Sequence, residues 1–147
     1  MNPRVYLLDT NVLLAALLAP ERLPPEVASE LINAGNEVYF SAASIWEIAI
    51  KRSLNRADFA FSPEDIHRLA LASGFTELMV KSQDCFPLVD LPWHHRDPFD
   101  RLLIVQAGLL PAHLLTTDEW LPRYSEWVRL WPLKPLSTLA SHGINPD

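Results

Sequence analysis

The chain has 147 residues, 49% of them hydrophobic and 20% charged, with a formal net charge of −6. A chain of this length buries about 68–70% of its unfolded surface, enough for one core, so a single domain over residues 1–147 is expected and a disordered or low-complexity chain is excluded. The lone cysteine, Cys85, excludes an internal disulfide framework and a cysteine-rich zinc site, and the acidic balance excludes a broad basic face for nucleic-acid phosphates.

Val5 to Leu8 is short, apolar and unbroken, as a strand buried on both faces requires, and Asp9 stands where that strand hands over to a helix. Arg4 and the apolar run after it resemble a signal peptide at first sight. Asp9, Thr10 and Asn11 interrupt the run, whereas an export or membrane core is continuously apolar, so Val12 to Leu18 reads as a helix. No membrane segment is expected, and the cytoplasm is the default compartment for a chain without disulfides.

Pro24 and Pro25 open a helix from Glu26 to Ala34, with Gly35 expected to close it in the left-handed conformation. Glu37 to Phe40 reads as the second strand. Ala42 to Leu54 follows as a helix with Trp46, Ile50 and Leu54 at spacings of four. Ser62 and Pro63 start a helix to Ser73 with Gly74 past its end, and Phe75 to Val80 is the third strand. Ser82 to Leu91 is a short helix and turn, Pro92 to Arg96 a loop, and Asp97-Pro98 begins a helix through Ala107 and Gly108. Leu114 to Thr117 is the fourth strand, Glu119 to Tyr124 a brief helix, and Val128 to Trp131 the last strand. Strands and helices alternating at these lengths predict an α/β fold with a parallel sheet covered on both faces. The tail from Leu133, with Pro135 and Pro146, is assigned no function.

Four acids sit in short motifs just past or near apolar runs: Asp9 in Leu-Leu-Asp-Thr-Asn, Glu47 in Ser-Ile-Trp-Glu-Ile, Asp100 in Arg-Asp-Pro-Phe-Asp-Arg-Leu, and Asp118 in Leu-Leu-Thr-Thr-Asp-Glu. In an open parallel sheet, ligands bind at the carboxyl ends of strands where the strand order reverses. Asp9 and Asp118 directly follow strands, and the other two lie in the first turns of helices. Crowded carboxylates repel and need a compensating cation, and oxygen-only ligands suit Mg2+ or Mn2+. Each acid also has a plainer reading: Asp9 and Asp118 as turn or cap residues, Ser44 with Glu47 as a capping box, and Asp97 with Asp100 as a cap and a first-turn acid. Removing the four acids takes the net charge from −6 to −2, so a phosphate substrate remains admissible beside a local basic rim. Lys51, Arg52 and Arg56 trail Glu47, and Arg96 and Arg101 flank Asp100. They are the candidates for that rim, with a solvated helix face as the alternative.

The segments Leu7-Leu-Asp-Thr-Asn-Val-Leu-Leu14, Ser41-Ala-Ala-Ser-Ile-Trp-Glu-Ile-Ala-Ile-Lys51, His95-Arg-Asp-Pro-Phe-Asp-Arg-Leu-Leu-Ile104 and Leu115-Thr-Thr-Asp118 occur in the order of the PIN-domain nucleases. The chain resembles that family over nearly its whole length, specifically the VapC-type toxins of bacterial toxin–antitoxin pairs. The resemblance implies a three-layer α/β/α sandwich and an endoribonuclease that hydrolyses RNA with Mg2+ or Mn2+ and a metal-activated water, leaving 5'-phosphate and 3'-hydroxyl ends. It implies a cognate antitoxin protein as partner and a homodimer. By motif position, Asp9, Glu47, Asp100 and Asp118 match the family's catalytic and metal-binding acids, while Asn11, Asp97 and Thr116 are placed to orient ligands or water. His94 and His95 are read as loop or substrate contacts. Of the five tryptophans, most are expected in the core, with Trp46 or Trp93 as candidates to line an apolar groove for an antitoxin segment. Two rival readings remain. One is an aspartate-nucleophile phosphatase, disfavoured because Asn11 stands where a second acid belongs; the other is a PIN-like binding module without activity.

Overall fold

A computed structural model gives the fold and describes residues 4–54, 61–94, 96–117 and 128–130. The strands are β1 (Val5–Leu8), β2 (Glu37–Ser41), β3 (Thr76–Leu78), β4 (His113–Thr116) and β5 (Val128–Leu130). They form one sheet in the order β3-β2-β1-β4-β5, and every neighbouring pair is parallel. The helices described are α1 (Thr10–Leu18), α2 (Pro25–Ile32), α3 (Ala42–Ser53), α4 (Pro63–Ala72), α5 (Ser82–Cys85) and α6 (Pro98–Leu109), with single 3-10 turns at Pro20–Arg22 and Phe86–Val89. None of the described helices is long and apolar enough to cross a membrane.

Successive residues of a strand face opposite sides, and here both sides are buried. Tyr6 and Leu8 of β1, Val38 and Phe40 of β2 and Leu115 of β4 pack with Val12, Leu13, Val27, Ile48, Ile66 and Ala70 from α1 to α4. Leu7 and Leu114 turn the other way, onto Leu103, Ile104 and Ala107 of α6. Each fully buried leucine of this kind contributes roughly 1.5–3 kcal/mol over leaving it exposed. The result is the expected α/β/α sandwich.

Local chemistry fixes the helix ends. Asp9 caps α1 by accepting from Val12 N, Ser41 caps α3 by accepting from Ala43 N, Ser62 caps α4 by accepting from Asp65 N, and Asp97 caps α6 by accepting from Phe99 N and Asp100 N. Proline opens α2, α4 and α6 at their first positions, where its missing N–H costs nothing. Gly74 ends the α4 segment at φ +88°, a conformation open to glycine.

Three local expectations are corrected. The capping box read from Ser44 and Glu47 does not form, because Ser41 supplies the cap and Ser44 is buried one turn further on. Gly35 does not take the left-handed conformation; its N–H donates to Asn33 Oδ1 at 2.9 Å, so the Asn33 side chain organises that turn. The third strand spans Thr76–Leu78 instead of reaching Val80, since its partner β2 ends at Ser41, opposite Leu78. The helix expected at Glu119 to Tyr124 lies outside the described residues.

From β1 the chain winds outward through β2 to β3 with α1 to α4 on one face, then returns across α6 on the other face to β4 and β5. The reversal falls between β1 and β4, whose carboxyl ends lie side by side, the place where open parallel sheets bind ligands. Asp9 N donates to Leu115 O at 3.0 Å, tying the end of β1 to β4 at that point.

Candidate active site at the ends of β1 and β4

Asp9 directly follows β1 at these strand ends and is 4% exposed. One carboxylate oxygen, Oδ1, accepts from Val12 N at 2.8 Å, and Oδ2 accepts from Thr117 N at 3.3 Å, while the Thr116 hydroxyl also hydrogen-bonds to the carboxylate. Asn11 reaches the same strand end, with Nδ2 3.5 Å from Thr117 Oγ1. Burial pushes the Asp9 carboxyl up to about 6; the donors from Thr116, Val12 and Thr117 oppose this, and the nearby charge of Glu47 adds to it.

Glu47 comes to Asp9 through Thr10. The Thr10 hydroxyl lies 2.6 Å from Glu47 Oε1 and 2.9 Å from Ser44 Oγ, all three side chains buried, with Glu47 8% exposed. Glu47 Oε2 accepts from Lys51 Nζ at 2.8 Å, one helical turn further along α3. Lys51, read from sequence as part of a substrate rim, is therefore joined to Glu47 itself.

Asp100 is half-buried in the first turn of α6. Trp46 and Phe99, each one residue before an expected site acid, stack edge-to-face with centroids 5.0 Å apart and bring the start of α6 against α3. Among the described residues, no group of three or more His, Cys, Asp or Glu side chains is close enough to hold a metal ion. The described part of the site is thus the Asp9–Glu47 pair, with Asp100 at the neighbouring helix start. Asp118, the fourth expected acid, lies outside the described residues, as do His95, Arg56 and the tail after Pro132.

Arg101 corrects the expectation of a basic rim. It is 4% exposed, and its guanidinium donates to Pro92 O at 2.9 Å and Leu91 O at 3.1 Å, with its carbon 3.7 Å from the centroid of the Trp93 ring. This side chain staples the loop before α6 to the helix and does not face solvent. Arg52 and Arg96 are exposed, and Arg52 lines a surface cleft of about 410 Å³ with Leu18, Phe61 and Arg68. His94 is exposed as well. Trp46 and Trp93 are not core residues: they are 61% and 73% exposed. Trp120, Trp127 and Trp131 lie beyond what is described of the side chains.

Three contributors were missed in sequence: Thr10, Ser44 and Thr117. Thr10 sits between two residues that were singled out, and the three-residue spacing of Ser44 and Glu47 did place them on one face of α3. What the spacing could not supply was the hydroxyl from α1 that meets both. Two buried carboxylates surrounded by hydroxyl and backbone donors form a hard, oxygen-only donor set, which fits Mg2+ or Mn2+ and offers nothing to a soft metal.

The model of the PIN domain family matches residues 6–126. In fold, the chain is similar to VapBC2 from Rickettsia felis, in a crystal structure bound to a DNA fragment from their promoter, with a TM-score of 0.61 at 15% identity over 86% of this chain and 98% of that one. It is also similar to VapBC-1 from nontypeable Haemophilus influenzae, with a TM-score of 0.59 at 17% identity over 87% of this chain and 97% of that one. No curated protein matches the chain by sequence. With the family's pattern running through all of the sheet but its last strand and through both acids of the buried pair, the chain belongs to the PIN domain family.

Proposed function

We propose that the chain is a metal-dependent endoribonuclease, the toxin of a toxin–antitoxin pair. The observation that carries this reading is the Asp9–Glu47 pair: two buried carboxylates from separate elements, bridged by Thr10, at the switch point of a PIN-domain sheet. A binding module has no need to bury two like charges together, because each costs desolvation and they repel. The VapBC names of both structural neighbours support an antitoxin as partner. The exposed apolar row of Trp46 and Ile50 on α3 and Leu54 just past its end, next to Glu47, is where we place its segment. A homodimer and a cytoplasmic location are part of the same reading.

Asp9 and Glu47 would hold the Mg2+ or Mn2+, with Asp100 and Asp118 as its further proposed ligands. When bound, a divalent cation supplies an activated water at neutral pH and neutralises charge on the phosphodiester. The chain's own groups do the positioning. Thr10 fixes Glu47 Oε1, Val12 N and Thr117 N fix the two oxygens of Asp9, and Thr116 donates to the same carboxylate. Asn11 and Asp97 orient the surroundings, and Arg52, Arg56 and Arg96 supply the rim for substrate phosphates.

Incubating the purified protein with several RNA classes tests this. Cleavage is expected with Mg2+ or Mn2+, leaving 5'-phosphate ends, and is expected to fall by at least about a hundredfold with EDTA or in Asp9→Asn. Products ending in a 2',3'-cyclic phosphate would overturn the hydrolytic scheme, and no cleavage of any RNA in any metal would favour the binding module.

A further inference from the structure

Glu47 and Lys51 are four residues apart on α3, with the acid toward the helix N-terminus, the favourable order for such a pair. An exposed pair of this kind contributes little to stability and calls for no further explanation. This one is different at its acidic end. The Glu47 side chain is 10% exposed, its other oxygen is taken by the buried Thr10 hydroxyl, and it shares its surroundings with the buried Asp9 carboxylate. The Lys51 side chain as a whole is 32% exposed, so the lysine reaches in from solvent to a site with two acids. The next cation on the helix, Arg52, instead lines the cleft beside Leu18 and Arg68.

We infer that Lys51 is a positioning residue: its ammonium is the built-in counter-ion of the Asp9–Glu47 pair, holds Glu47 in place before a divalent cation arrives, and sets the affinity of the site by competing with that cation for Glu47 Oε2. Lysine suits the task, being a compact point charge on a flexible stem that can let go without disturbing the helix. Two effects of removing it oppose each other. Glu47 becomes less well held, which weakens cation binding, and a positive charge within a few ångströms of the incoming cation disappears, which strengthens it. Thr10 still grips Oε1 in the variant, so the orientation loss is partial. Removal of the like charge therefore dominates, since two like charges at that range in a half-buried site are only weakly screened by water.

The inference rests on the metal-dependent reading above, and the test separates the two. Mn2+ binding is measured by calorimetry on the full chain without RNA, for wild type, Lys51→Met, Lys51→Gln and Lys51→Arg, together with Tm in EDTA. Lys51→Met and Lys51→Gln are expected to bind Mn2+ about tenfold more tightly than wild type and to melt earlier in EDTA, while Lys51→Arg stays within about threefold of wild type. A residue that merely supported the helix would lower Tm without tightening Mn2+ binding. Unchanged or weaker Mn2+ affinity in either folded variant overturns the inference and leaves the nuclease reading standing. Failure of the wild type to bind Mn2+ at all overturns the metal reading, and the inference falls with it.

Discussion

Asp9 carries two duties that the sequence presented as alternatives. It is the N-cap of α1, accepting from Val12 N, and it is the buried acid where the carboxyl ends of β1 and β4 meet. The cap explains how a carboxylate is held in so dry a place, because one backbone donor offsets part of its desolvation. The offset is incomplete, and a pH signature follows. The folded carboxyl titrates at about 6, above its ordinary 3.8, so between these values the folded chain holds a proton that the unfolded chain has lost. In EDTA, stability should therefore fall as pH rises through that window and stay low above it, by up to about 3 kcal/mol from this group. Urea unfolding of wild type and Asp9→Asn at pH 4 and 7.5 checks it: the step should vanish in the variant, and equal pH dependence of the two would contradict the account. Thr10 acts on the partner acid. Removing its hydroxyl in Thr10→Val leaves Glu47 Oε1 without that donor, so RNA cleavage should drop about 10–100-fold, with Thr10→Ser restoring most of it. A cleavage rate in Thr10→Val equal to wild type would remove Thr10 from the site.

Helices and strands were readable because their periods and caps agree with their burial. β1 was placed at Val5–Leu8, and the helix after Pro63 was framed by Ser62 and Gly74. The errors came where a neighbouring element decides. β3 is short because β2 has ended, and the turn at Gly35 is closed by the side chain of Asn33. Arg101 is the most instructive case. Next to Asp100 in sequence it looked like part of a phosphate-binding rim, yet one residue is about 100° around a helix, and that step turns it toward the loop at 88–93. Its guanidinium serves the carbonyls of Leu91 and Pro92 and stacks on Trp93, which holds the approach to the Asp97 cap. Arg101→Met should cost about 1–3 kcal/mol by thermal or urea unfolding, since it removes a buried guanidinium that serves part-buried carbonyls, whereas Arg96→Ala should stay within about 0.5 kcal/mol. Similar, small losses in both would return Arg101 to the surface.

Across the whole molecule, the site exists because the winding direction reverses. Helices α1 to α4 cover one face of the sheet and α6 the other, so β1 and β4 lie side by side with their carboxyl ends free, and Asp9 and Thr116 meet there. A cation bound by the folded site and not by the unfolded chain stabilises the fold by mass action. At a hundred times its dissociation constant, Mn2+ should add about 2.7 kcal/mol at pH 7.5, seen as a rise in Tm, and Asp9→Asn should abolish most of the gain. An equal rise in both proteins would mean that the ion binds elsewhere.

The sequence by itself determined the alternation of strands and helices, the parallel sheet and the family, because apolar periodicity, caps and short motifs are local properties written along the chain. Only the tertiary structure decided that Thr10 meets both Glu47 and Ser44, that Lys51 holds the other oxygen of Glu47 while Arg101 turns inward, and that Trp46 and Trp93 stay at the surface. Those outcomes depend on which elements become neighbours across the sheet, a matter of packing between residues far apart in sequence that no local pattern encodes.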